Sequence, residues 1–187
     1  MNNHKSESDG GGVQQALGTV SQTDLAVIAH QLGRAPRGVV GVAARCSCGT
    51  PLVVTTAPRL PDGTPFPTLY YLTHPGLSAA ISRLEGAGAM RGLSGWLDTD
   101  QAVASAYQAA HQAYLASRAT VGRQLGLDDV PEISGISAGG MPDRIKCLHA
   151  LVAHSLAVGK GVNPIGDQVL TDLNWDTETF RCPGHQG

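Results

Sequence analysis

The chain has 187 residues and a mass of 19.3 kDa, the size of one ordinary domain. Thirteen Lys and Arg against fifteen Asp and Glu leave a formal charge of −2, and only 15% of residues are charged, so the basic excess that a nucleic-acid partner would require is missing. Aromatic residues supply 4%, against 24 Gly and 11 Pro; turns and small-residue packing must therefore do much of the shaping.

Residues 1–22 combine a polar opening with the Gly10-Gly11-Gly12 run and lack the apolar core of a signal peptide. They read as a disordered arm, followed by a single globular domain over 23–170 and a tail over 171–187. No apolar run approaches the ~18 residues of a membrane span, so a soluble, cytoplasmic protein is expected. In that setting Cys46, Cys48, Cys147 and Cys182 read as thiols or metal ligands rather than a disulfide framework.

Ser21 or Thr23 can cap a first helix carrying Leu25, Ile28 and Leu32, which Gly33 and Pro36 end. The pattern then turns to β: 39–42 and 52–56 are β-branched runs around a turn holding Cys46, Cys48, Gly49 and Pro51, which predicts a hairpin. A third strand is expected over 66–72, with Pro67 favouring an edge position or a late start. Pro75 opens a helix whose Leu77, Ala80, Ile81 and Leu84 share a face, ended by Gly86 and Gly88. Asp98 or Thr99 can cap a long helix in which Val103, Tyr107, Ala110 and Tyr114 form a core stripe. After a loop over 125–133 and the Gly-rich crossing 135–140, Pro142 is expected to open a central buried helix running to about Val158. From Asn163 onward the chain reads as loop and tail. Three strands followed by helices define an α+β fold, a small, mainly antiparallel three-stranded sheet packed against several helices.

Two constellations could carry chemistry. If the helix starts at Pro142, Cys147 and His154 project within roughly 20° of each other but about 10 Å apart along the axis, while His149 faces elsewhere. With Cys46 or Cys48 from the hairpin turn, and His74 after the third strand, they would offer the mixed Cys/His donors that Zn²⁺ accepts; iron would need more thiolates. Taken singly, a buried thiol and a hydrogen-bonded core histidine are the plainer roles for Cys147 and His154. The second constellation is an anion site: Arg59, with Gly139 and Gly140 of the crossing and Arg144 and Lys146 beyond it, placed at the expected helix N-terminus. Met141-Pro142 stands where a phosphate loop has Lys and Ser/Thr, which favours a structural loop.

The segments Pro58 to Pro75, Gly135 to His149 and Gly161 to Gly166 resemble the bacterial family catalogued as domain of unknown function 501, over about Leu25 to Asp167. The resemblance is to members of the actinobacterial type. The resemblance implies a Cys at Cys46, usually a Cys at the position of His74, and Cys-Leu-His at Cys147 to His149, often with a further His at His154. It therefore implies a metal set of Cys46, His74, Cys147 and His154, with zinc ahead of iron, and an iron–sulfur centre is disfavoured by the His at position 74. Relatives are commonly encoded near enolase and a septum-formation initiator, which implies cell-division or envelope physiology and a division-related protein partner. Two further readings stand beside the metal: a non-enzymatic interaction module of the division machinery, and an enzyme that binds an anionic or phosphate ligand.

Overall fold

The structure, a computed structural model, describes residue 17 and residues 20–175; residues 1–16, 18 and 19 of the expected arm, the tail beyond Trp175 and Cys182 lie outside the described residues. Helix α1 (Gln22–Leu32) opens with a reciprocal cap in which Ser21 Oγ accepts from Asp24 N and the Asp24 carboxylate accepts from Ser21 N. Gly33 closes it at φ 66°. Strands β1 (Val39–Arg45), β2 (Pro51–Thr56) and β3 (Tyr70–Leu72) form one antiparallel sheet in that order, with Val42 opposite Val54 and Val53 opposite Leu72. All six residues of β2 are buried, as a central strand covered on both faces must be. β3 is shorter than the expected 66–72, because Pro65 and Pro67 have no N–H to give a ladder.

Helices α2 (Pro75–Gly86), α3 (Ala89–Thr99), α4 (Gln101–Gln124), α5 (Leu148–Val158) and α6 (Pro164–Asp172) complete an α+β fold. Three of the expected boundaries shift. Helix α3 occupies a stretch with no expected element, burying Leu93 and Leu97, so the cap of α4 is Asp100 rather than Asp98 or Thr99; its carboxylate accepts from Ala102 N and Val103 N. Asn163 starts a helix, not a loop, by accepting from Gly166 N ahead of Pro164 at the first helical position. The central helix starts at Leu148 and not at Pro142. Gly139 O instead accepts from Lys146 N at 2.7 Å and Gly140 O from Arg144 N at 3.1 Å, which folds 139–147 back on itself.

α5 is the centre of the core. Leu148, Leu151, Val152, Ala153 and His154 are fully buried, against the sheet, α2 and α6. The buried stripe of α4 is as expected, but its polar tips also hold loops in place. Tyr107 OH donates to Arg144 O (3.1 Å), Tyr114 OH accepts from Leu69 N (2.5 Å), and His111 Nδ1 meets Ser137 Oγ at 2.9 Å. One further turn along, Arg118 donates to the carbonyls of Pro67, Ile133 and Ile136. Thus α4 fixes both the entry to β3 and the crossing that delivers Cys147.

Candidate metal centre

The residues that converge are Glu85, Cys147 and His149, one potential ligand atom from each lying within 4.8 Å of the other two, all half-buried. Local structure explains why. Cys147 is the N-cap of α5 with extended backbone (φ −154°, ψ 109°), so its thiol does not follow the helical azimuths that would turn it away from His149. The first amide of α5, Leu148 N, donates to Glu85 Oε1 at 2.8 Å. A carboxylate is favoured there because the first N–H groups of a helix are unpartnered and the dipole is positive. Glu85 Oε2 lies 3.5 Å from His149 Nδ1.

The other ring nitrogen settles the tautomer. His149 Nε2 is 3.1 Å from Ser78 O, which can only accept, so Nε2 carries a proton; Ser82 Oγ lies 3.3 Å from the same nitrogen. Nδ1 is left facing Glu85. A histidine whose distal N–H is committed to a carbonyl is the arrangement that orients a metal-ligating imidazole. The hydrogen bond between Cys147 and His149 lowers the thiol below its ordinary pKa range and raises the imidazole above its own. Ser78, Ser82 and Glu85 recur at i, i+4 and i+7 on α2, and that polar stripe beside Leu77 and Ile81 is the sequence signal for the missing donors.

The expected four-residue set does not converge. Cys46 is disulfide-bonded to Cys48, and a sulfur so bonded has no thiolate to offer a metal. His74 caps α2, its Nδ1 accepting from Leu77 N at 3.1 Å, and its ring meets Trp175 edge to face at 5.8 Å. Eleven residues of α2, about 16 Å at 1.5 Å each, separate it from Glu85. His154 faces the core, stacked on Tyr70 and edge-on to Tyr114. Asn163 Oδ1 accepts from Gly166 N, so its amide nitrogen points at His154 Nδ1, 3.2 Å away, which must be the acceptor. His154 is thereby neutral with the proton on Nε2, an atom without a hydrogen-bond partner among the described residues.

The anion set is also dispersed. Arg59 pairs with both carboxylate oxygens of Glu132, at 3.0 and 2.8 Å, and donates to Gly63 O. Gly139 and Gly140 take φ of 67° and 97°. A side chain on Gly139 would meet Leu151, and one on Gly140 would meet Arg144 O, so their glycines serve close packing. Arg144 and Lys146 are exposed, and the helix N-terminus expected to receive an anion receives Glu85 instead. Ser137 stands in a Gly-Ile-Ser-Ala-Gly run, but it is buried against His111 in a loop rather than on a strand-to-helix turn.

The fold is thus an α+β one, a three-stranded antiparallel sheet on a buried central helix with a Cys-x-His pair at that helix's start. The family described as protein of unknown function (DUF501) matches residues 42–171, and the chain belongs to it. That span contains Glu85, Cys147 and His149. No curated protein and no solved structure matches the chain. No described helix is long and apolar enough to cross a membrane.

Proposed function

We propose that the protein binds a divalent metal ion, zinc ahead of iron, through Cys147 Sγ, His149 Nδ1 and a carboxylate oxygen of Glu85. The observation that carries this is the mutual approach of the three donors within 4.8 Å, together with an imidazole held in the ligating tautomer by Ser78 O. One thiolate, one imidazole and one carboxylate suit Zn²⁺, whereas an iron–sulfur cluster needs several thiolates. Three protein ligands leave one position of a tetrahedral shell for water or a bound group, and zinc in such a shell supplies Lewis acidity and an acidified water. Ser78 O orients His149 through Nε2, and Leu148 N holds one Glu85 oxygen in place. A part in division or envelope physiology is what the family resemblance adds, and the metal reading does not depend on it.

Elemental analysis of the purified full chain, with zinc titration against a chromophoric chelator, tests the proposal. About one zinc per chain is expected, with affinity falling at least tenfold, about 1.4 kcal/mol, in Cys147→Ser and in His149→Gln. His154→Gln should leave zinc affinity unchanged. A folded, metal-free protein that takes up no zinc at micromolar concentration would overturn the reading, as would Cys147→Ser binding like the parent.

A further inference from the structure

The Cys46–Cys48 pair is a second sulfur centre, sharing no residue with the cluster at α5. We propose that it is an exchangeable disulfide, which reacts reversibly with a dithiol through Cys48. The first ground is how little the bond is needed as a staple. Disulfide stabilisation by loop closure grows with the length of chain enclosed, and a separation of two residues is near the bottom of that scale.

The turn is already closed by other bonds. Cys46 N donates to Thr50 O at 2.9 Å, Gly49 N to Cys46 O at 2.9 Å, and Arg45 Nη1 to Gly49 O at 3.0 Å. Gly49 supplies the φ of 83° that the turn requires. The backbone therefore holds the two Cα atoms 5.4 Å apart without relying on the S–S bond, and the dithiol and disulfide forms fit the same hairpin.

The second ground is asymmetry. Cys46 is 5% exposed and lies within the main core, whereas Cys48 is half-buried and packs against the edge of that core, the more accessible sulfur of the two. An incoming thiolate reaches Cys48 Sγ. It forms a mixed disulfide there as the Cys46–Cys48 bond breaks, and Cys46 leaves with the electron pair and takes up a proton. The partner's second thiolate then attacks its own sulfur in the mixed disulfide and expels Cys48. The net result is two protein thiols and one partner disulfide. Thr50 Oγ1 lies 3.1 Å from Cys48 Sγ; a disulfide sulfur has no proton, so the hydroxyl is the donor, and it stays in place to stabilise the departing Cys48 thiolate.

Peptide mapping of the full-length protein under native conditions, with thiols alkylated after exposure to dithiothreitol and then to oxidised glutathione, tests this. The expected result is loss and recovery of the 46–48 bond with both thiols labelled in the reduced state, while the circular dichroism spectrum is unchanged. In Cys46→Ser, oxidised glutathione should form an adduct on Cys48 at least tenfold faster than on Cys46 in Cys48→Ser, each variant having been checked for a cooperative melt. The proposal is overturned if the bond yields to millimolar dithiothreitol only when the chain is unfolded in urea, or if no 46–48 bond forms on oxidation. It also fails if Cys46 proves the faster site, or if a chelator is needed before either thiol can be labelled.

Discussion

The imidazole of His154 lies on the ring of Tyr70, 5.9 Å between centroids and 12° from parallel, with its Nδ1 saturated by Asn163. Burial in this aromatic setting pushes its pKa down to about 4 from the ordinary 6.5. Between those values the unfolded chain binds a proton at this position and the folded chain does not. Stability should therefore fall as pH drops from about 6.5 to 4 and level off below, by a total on the order of 3 kcal/mol from this group. His74, lowered by burial as well, contributes with the same sign. Urea unfolding from pH 7 to 4 checks this: His154→Gln should be less stable at pH 7 and lose much of the slope, and an unchanged slope would refute the assignment.

Two glycines on helices should respond to alanine with opposite signs. A methyl on Gly166 would collide with Leu151 O and Ser155 Oγ of α5, so Gly166→Ala should cost about 1–3 kcal/mol by forcing α6 off α5. Gly92 on α3 is exposed and an added Cβ meets nothing within 4 Å among the described residues. There Gly92→Ala should gain about 0.5–1 kcal/mol, because it restricts the unfolded chain. Denaturant midpoints of the two variants decide the point.

Arg118 is buried, and among the described residues its hydrogen-bond partners are all carbonyls. The planar fork reaches three of them, from the approach to β3 and from both sides of Ser134; a lysine ammonium is a point charge that cannot span the set. Arg118→Lys should cost about 1.5–3 kcal/mol and speed proteolysis between Ile133 and Lys146 while leaving the sheet intact. Limited proteolysis at native pH, with fragments mapped by mass, reads this directly.

The reciprocal cap of α1 is tied to the sheet by Arg45, which donates to both Asp24 carboxylate oxygens at 2.6 and 2.9 Å. The guanidinium and the Ser21 amide hold Asp24 well below the usual carboxylate range. Ser21→Ala should cost about 1 kcal/mol. Asp24→Asn should cost more, since it loses the cap charge and one of the two oxygens that accept from Arg45, which a double-mutant cycle with Arg45→Met would separate.

Local chemistry made much of the fold readable. The β-branched runs around Cys46 to Pro51, Ser21 before a periodic run, and the α4 stripe each have a single low-energy reading, and the structure follows them. What misled was competition between signals. Glycines at 92 and 95 hid α3, whose helicity comes from burying Leu93 and Leu97. Pro142 looks like a helix start, yet the carbonyls of Gly139 and Gly140 capture the amides that such a helix would have used. That displacement of six residues decided the site. Cys147 was legible as a candidate and His149 lay two residues away, but a helical azimuth separates them and an extended cap joins them. Glu85 was invisible because its partner is 63 residues on, and neither periodicity nor spacing records which helix faces which.

Glu85 has two oxygens and two obligations. One satisfies the opening amide of the helix at the heart of the molecule, and the other completes the group around His149. A replacement that keeps the cap but gives up the charge, such as glutamine, damages the cluster while sparing the helix; alanine damages both. The position is thus constrained twice over, and drift at residue 85 would be penalised in folding before any loss of chemistry could be compensated elsewhere.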